Sequence, residues 1–313
     1  MDPLSDVLRA IRLTGAHFFA SATSGPWGLE APPARELSPR VLPGAQHLIS
    51  YHVVMHGRCW GGLRGESLLA LEAGDVILFP HGDAHVMCSS PEPGPLPRVG
   101  DVPRFPAQRV LGDPEHPDVR LVCGFFGCDP DPFNPLCQSL PRVLRVRGMS
   151  EGLVGMFARQ VLEETEAGRV GAESLLTRLA ELMFIEVLRR QVDAMPDGGA
   201  GWLSAMRVPF VARVLHLLHG QPAHPWTIAE LATEAATSRT VLAERFTRLV
   251  GVPPMQYLTQ WRMQLASVRL RESGAKLAAI AAEVGYESET SFNRAFKKAT
   301  GVSPGQWRQG RVA

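Results

Sequence analysis

Residues 276–308 read KLAAIAAEVGYESETSFNRAFKKATGVSPGQWR, and the periodicity of this stretch decides how the rest of the chain is read. Leu277, Ile280, Ala281 and Val284 recur at helical spacing and form one apolar stripe, which Gly285 ends. Ser288 is an N-cap residue for a second helix, in which Phe292, Ala295, Phe296 and Ala299 fall at i, i+3, i+4 and i+7. The other face of that helix carries Glu289, Thr290, Asn293, Arg294 and Lys297. A short helix with one apolar face and one cationic, hydrogen-bonding face suits the major groove of duplex DNA, where Arg and Asn address base edges bidentately. Phe292 and Phe296 are expected in the core, because a duplex offers no free base faces for stacking.

Working outward, residues 226–251, WTIAELATEAATSRTVLAERFTRLVG, repeat the pattern. Ile228, Leu231 and Ala232 form the first stripe, Ser238 caps, and Leu242, Phe246 and Leu249 anchor the next helix. Ser238 precedes Phe246 by the same interval as Ser288 precedes Phe296, so the copies are in register. The groove face of the upstream copy offers Arg239, Thr240, Ala243, Glu244 and Thr247. Ala243 has no hydrogen bond to give a base, and Glu244 repels phosphate or accepts from cytosine. Between the copies, PMQYLTQWRMQLASVRLRE has no breaker after Pro254 and predicts a connecting helix with Tyr257, Trp261, Leu265 and Val268 on one side. A rigid connector lets one protomer enter successive major grooves about 34 Å apart.

These two units, the connector and the closing GVSPGQWR resemble the DNA-binding domain of the AraC/XylS family of bacterial transcription regulators over residues 207–313. The upstream turn departs from the family pattern, with Ala235 and Ala236 where glycine is usual. The resemblance implies double-stranded DNA as partner, RNA polymerase if the output is activation, and base or backbone contacts from Arg239, Thr240, Glu244, Glu289, Thr290, Asn293, Arg294 and Lys297. Charge agrees. The whole chain is nearly neutral at +1, but residues 222–313 hold 12 Lys and Arg against 7 Asp and Glu.

The first two hundred residues have another texture. Residues 1–15 predict a helix, and residues 16–128 are short β-prone runs divided by Gly and Pro, which argues for a sandwich or barrel. Residues 90–118 read as a long loop. The start, MDPLSDVLRAIRL, does not read as an export signal, and no apolar run of eighteen residues occurs, so a cytoplasmic chain is expected.

GDVILFPHGDAHVM, residues 74–87, is similar to the second motif of the cupin-type sensor domain of one branch of AraC-like regulators, with Gly74, Pro80, Gly82 and His85 in place. The first motif, counted from Gly44, has Ser50 where enzymatic cupins have a histidine, His52 at the second position and His56 in place of glutamate. His52 and His56, four apart in one strand, are expected on the same face, and with His85 they supply three nitrogen ligands for a divalent metal such as zinc. The other reading is of hydrogen-bonded core histidines, with a small effector held in the barrel near Tyr51, Trp60 and Phe79.

All five cysteines lie in this half; Cys88, Cys123 and Cys128 are redox candidates, Cys88 through a thiolate favoured by His85 or His81, while small buried hydrophobes are the alternative. Residues 146–194 predict two amphipathic helices whose counterparts in the resembled family form the dimer interface, followed by a flexible linker at 195–206.

The expected architecture is thus an α+β multidomain chain: an N-terminal cupin-like β-barrel over residues 1–145 with flanking helices, a helical dimerisation segment, a linker, and a C-terminal all-α domain with two helix-turn-helix units joined by a connector helix. The expected function is sequence-specific transcription regulation, activation among the outputs, by a homodimer that senses a small molecule, metal or oxidant, with no membrane association and no catalysis. The alternatives are a metal-dependent cupin enzyme fused to a DNA anchor and a nucleoid-type protein without sequence preference.

Overall fold

The computed structural model describes residues 2–10, 13–43, 45, 47–97, 108–111, 113, 115–128, 132–149, 151–195, 199 and 201–310. The chain runs α1 (Pro3–Ala10), β1 (Leu13–Thr23), β2 (Gly28–Ala31), α2 (Ala34–Val41), β3 (His47–His56), β4 (Arg58–Leu63), β5 (Leu69–Glu72), β6 (Val76–Phe79), β7 (His85–Cys88), β8 (Gln108–Leu111) and β9 (Val119–Cys128). It continues through α3 (Pro135–Ser139), β10 (Leu144–Val146), α4 (Gly152–Ala167), α5 (Ala172–Ala194), α6 (Trp202–Ala205), α7 (Pro209–Gly220), α8 (Ile228–Glu234), α9 (Arg239–Val250), α10 (Pro254–Glu272), α11 (Leu277–Glu283), α12 (Glu289–Thr300) and α13 (Pro304–Arg308). Two compact units result. One is Leu13–Asp129 with Leu140–Ala194; the other gathers Met1–Arg12, Pro130–Ser139 and Met195–Ala313.

The first unit contains two sheets. One has the order β10-β6-β3-β9-β1-β8 and the other β2-β7-β4-β5. The expected barrel is not closed: among the described residues β2, β7, β4 and β5 pair only with one another, so the architecture is two facing sheets. Val54, Ile77, Phe79, Leu121 and Cys123 of the larger sheet pack with Cys59, Leu63, Leu71 and Met87 of the smaller. The far side of the larger sheet is covered as well. Tyr51 stacks on Phe126 at 4.6 Å and lies 6.1 Å from Phe157 of α4, while Phe126 meets Phe184 of α5 at 5.1 Å. Burial on both faces is why the buried positions of β3 run unbroken from Leu48 to Val54 and do not alternate, with Ser50 and His52 among them.

In the second unit, α10 is buried around most of its circumference, by Tyr257, Leu258, Trp261, Met263, Gln264, Ala266, Ser267 and Leu270. Leu265 and Val268, expected on a single buried side, are only half-buried, because this helix packs against α7 and α9 as well as α11, α12 and α13. Two segments distant in sequence also belong here. α1 packs on α7 and α10, and α3 packs on α6. Both were expected with the sheets. The expected linker at 195–206 contains α6, with Trp202, Leu203 and Ala205 buried; residues 196–198 and 200 of it lie outside the described residues. Much of the loop expected at 90–118, and Gly44 of the first cupin motif, also lie outside them.

Candidate effector pocket and nucleic-acid interface

Between the two sheets lies a small cavity of about 40 Å³, lined by Phe19, Ser21, Trp27, Leu29, Ala31, His52, His85, Met87, Leu121 and Cys123. Among the described residues no charged side chain lines it. His52 on β3 and His85 on β7 are both buried, and their Nε2 atoms are 3.0 Å apart. His85 Nδ1 lies 3.1 Å from the Asp83 carbonyl, which can only accept, so Nδ1 carries the proton and Nε2 is left as an acceptor. His52 Nε2–H therefore donates to His85, and His52 Nδ1 becomes an acceptor; it is buried and has no partner among the described residues. Both rings are neutral near pH 7. Burial lowers His85 to about 4, against a small upward pull from Asp83, and burial together with His85 takes His52 well below the usual histidine range.

His56 does not join them. A β-bulge between Val54 and His56 shifts the register, so that Val54 pairs with Leu121 and His56 with Arg120. Paired residues share a face of the sheet. Val54 and Leu121 face the core between the sheets, and His56 is turned to the exposed side with Arg120. Period-two counting fails at a bulge, which is why the expected three-histidine set is not assembled. Among the described residues no group of three His, Cys, Asp or Glu side chains is placed to hold a metal ion. What the described residues bring together is a pair of imidazoles, His52 and His85, and not the expected set of three.

The same alternation corrects other expectations. Tyr51, next to His52, points away from the cavity toward α4 and α5, and Trp60 shares the outer face with its partner Cys88. Phe79 does lie inside, stacked on His85 at 3.9 Å. Cys88 is three residues from His85 and so on the opposite face of β7; its thiol donates to the Ser90 carbonyl at 3.0 Å, and burial raises its pKa. Burial pushes the Cys59 thiol up to about 12. Cys123 and Cys128 are buried too, so none of the three redox candidates is an exposed thiolate. Ser21 and Trp27, which do line the cavity, had no sequence signal beyond lying in or beside a strand.

In the other unit, two helix pairs present their exposed faces. Ser238 caps α9 by accepting from Val241 N–H at 3.2 Å, and Ser288 caps α12 by accepting from Ser291 N–H at 3.2 Å. Both preceding helices end in the same way: Thr237 N–H bonds back to Ala232 and Tyr286 N–H to Ala281, each across a left-handed residue, Ala236 at φ 50° and Gly285 at φ 82°. Leu242, Phe246 and Leu249 bury one face of α9; Phe292 and Phe296 bury one face of α12. Arg239, Thr240 and Glu244 are exposed on α9, as are Glu289, Thr290, Arg294 and Lys297 on α12, with Asn293 half-buried beside them. Arg239, Arg294 and Lys297 have no acidic partner among the described residues, which leaves these cations available to phosphate or base.

A cupin family model matches residues 2–193, and a helix-turn-helix domain model matches residues 231–310. A putative AraC-like transcription regulator of Streptomyces antibioticus is 35% identical over 316 residues, 99% of both chains. The HTH-type transcriptional regulator AlkR of Acinetobacter baylyi is 27% identical over 319 residues, again 99% of each. The RCS-specific HTH-type transcriptional activator RclR of Escherichia coli is 24% identical over 270 residues, 85% of this chain and 86% of that one. Among solved structures, the DNA-binding domain of AdpA in complex with a target DNA is 26% identical, covering 33% of this chain and 91% of that chain, with a TM-score of 0.31.

Proposed function

Because the chain belongs to the AraC-like transcription regulators with an amino-terminal cupin domain, and is a DNA-binding regulator and not an enzyme, we propose that the inter-sheet cavity is where it takes its signal. The observation carrying this reading is the buried Nδ1 of His52, which has no partner among the described residues, beside an apolar cavity that no described charged side chain lines. A buried acceptor left unpaired costs about 1–3 kcal/mol. An effector bearing one O–H or N–H donor on a small neutral skeleton recovers that cost, and a charged effector meets no counter-charge. The pocket is small as it stands, so ligand entry displaces flexible side chains such as Met87.

On the output side, α9 and α12 read two successive major-groove segments, with Asn293 and Arg294 as the base-reading pair and Lys297 and Arg239 on the backbone. Leu153 and Met156 on α4, and Leu175 and Leu182 on α5, keep 39–45% of their surface exposed, and that apolar surface is the dimer contact. The relative RclR is named an activator; an activating role here adds RNA polymerase as a partner.

The test uses the full-length protein and thermal unfolding against small alcohols, phenols, hydrocarbons and their carboxylate analogues. Neutral donors should raise the unfolding temperature of wild type and leave Ser21→Phe, whose ring fills the cavity, unmoved. Stabilisation by carboxylates alone, or equal stabilisation of Ser21→Phe, would sink the assignment.

A further inference from the structure

Arg262 sits at the middle of α10, half-buried, and all three of its guanidinium nitrogens are spent on backbone carbonyls. Nε donates to Pro222 at 2.7 Å, one Nη to His224 at 2.9 Å, and the other to Gly285 at 3.3 Å. No carboxylate pairs with it among the described residues. The Tyr286 ring, 5.8 Å from the guanidinium carbon, is the remaining neighbour of its charge. The three carbonyls belong to different helix pairs. Pro222 and His224 lie in the turn that leads into α8, and His224 is tied to α8 by Glu230 at 2.7 Å. Gly285 is the left-handed residue of the turn between α11 and α12.

The second turn also comes directly against the first loop. A Cβ built on Gly285 would lie 2.7 Å from the Ala223 Cα and carbonyl oxygen, and 2.9 Å from the Arg262 guanidinium. Glycine is required there for its φ and, separately, for this close approach. A planar five-donor fork can hold three carbonyls in fixed directions, whereas an ammonium cannot reproduce that fork.

We infer that Arg262, with Gly285, is the positioning element that fixes α9 against α12 and thereby sets the half-site spacing the protein accepts. The inference rests on the reading in which both helix pairs contact DNA. Arg262 itself touches no base in this scheme. One inserted base pair moves the second site by about 3.4 Å and roughly 35°, which a riveted pair of helices cannot follow.

The test begins with a duplex selected from a randomised library by the full-length wild-type protein, then lengthened or shortened by one and two base pairs between its half-sites. Wild type should lose about tenfold in affinity per base pair of change. Arg262→Lys, which keeps the charge but not the fork, should flatten that profile to within about threefold, with affinity for a duplex holding only the α12 half-site unchanged. Gly285→Ala, which pushes the two turns apart, should flatten it independently; thermal unfolding confirms that each variant is folded. A spacing profile in both folded variants equal to that of wild type would overturn the inference while leaving paired reading intact. A wild-type footprint confined to one major-groove segment would overturn paired reading itself, and the inference with it.

Discussion

The side-chain amide of Gln264 donates to the Ala10 carbonyl at 3.2 Å, while its own carbonyl accepts from the Phe133 backbone N–H at 3.2 Å. One buried residue of α10 thus ties down both the end of α1 and the segment entering α3. Gln264→Leu leaves a buried donor and a buried acceptor unpaired and should cost about 2–4 kcal/mol. Urea unfolding followed by fluorescence of Trp202, Trp226, Trp261 and Trp307 measures it; a loss below about 0.5 kcal/mol would show that the amide bonds contribute little.

Buried neutral histidines make stability depend on pH in a definite direction. The folded-state values of His85 and His219 are depressed, to about 4 and about 3, from an unfolded 6.5. Burial is the first cause in both, with His216 adding to it at His219 and backbone contacts opposing. The unfolded chain therefore binds protons first as pH falls, so stability is fully present above pH 6.5 and declines from there toward 4 and below. The steepest slope is about 1.4 kcal/mol per pH unit per histidine. Melting temperatures recorded from pH 7.5 to 4.5 should fall, and the fall should be shallower in His219→Gln. Invariance across that range would contradict the burial assigned to these rings.

The two turns respond oppositely to substitution. Ala236 holds φ 50° without being glycine, so Ala236→Gly relieves left-handed strain of about 1–2 kcal/mol, part of which the added chain entropy offsets. A net gain of about 0.5–1 kcal/mol is expected from calorimetry. Gly285→Ala meets both strain and contact and should lose about 2 kcal/mol or more.

On the DNA face, Arg294→Ala should weaken cognate binding by about 1–3 kcal/mol and relax preference at one base. Lys297→Ala should weaken binding evenly across sequences and lower the salt slope by about one. Equal losses on cognate and random duplex for Arg294→Ala would reassign it to the backbone.

Thiol chemistry offers a further check. With Cys59 and Cys88 pushed up and all five thiols buried, labelling by an aromatic disulfide at pH 8 should be slow in the native state and rapid in urea. Fast native labelling of Cys88, Cys123 or Cys128 would restore them as sensors.

What sequence patterning carried best is local. Ser238, Ser288 and the Phe spacings announce capped helices by rules that act within a few residues, and the helices form there. What it missed is long-range. The bulge that turns His56 outward depends on pairing with Arg120, more than sixty residues away, and no count along β3 reveals it. Arg262 and Gln264 looked like ordinary polar positions on a connector, because their partners are backbone carbonyls and N–H groups supplied by loops whose approach the sequence does not encode locally. Ser21 and Trp27 line the cavity through sheet register, a property of the assembled fold.

That the C-terminal helices incorporate Met1–Arg12 and Pro130–Ser139 has a consequence for how such a chain can be rebuilt. A cut in the 195–206 stretch removes two pieces from the half it is meant to liberate, exposing Gln264 and the apolar surfaces under α1 and α3. Recombination at that joint would deliver a DNA-binding half without its amino-terminal helix, so exchange of DNA-binding ends between regulators of this build requires four matched crossovers, and the two halves of the gene are expected to be inherited together.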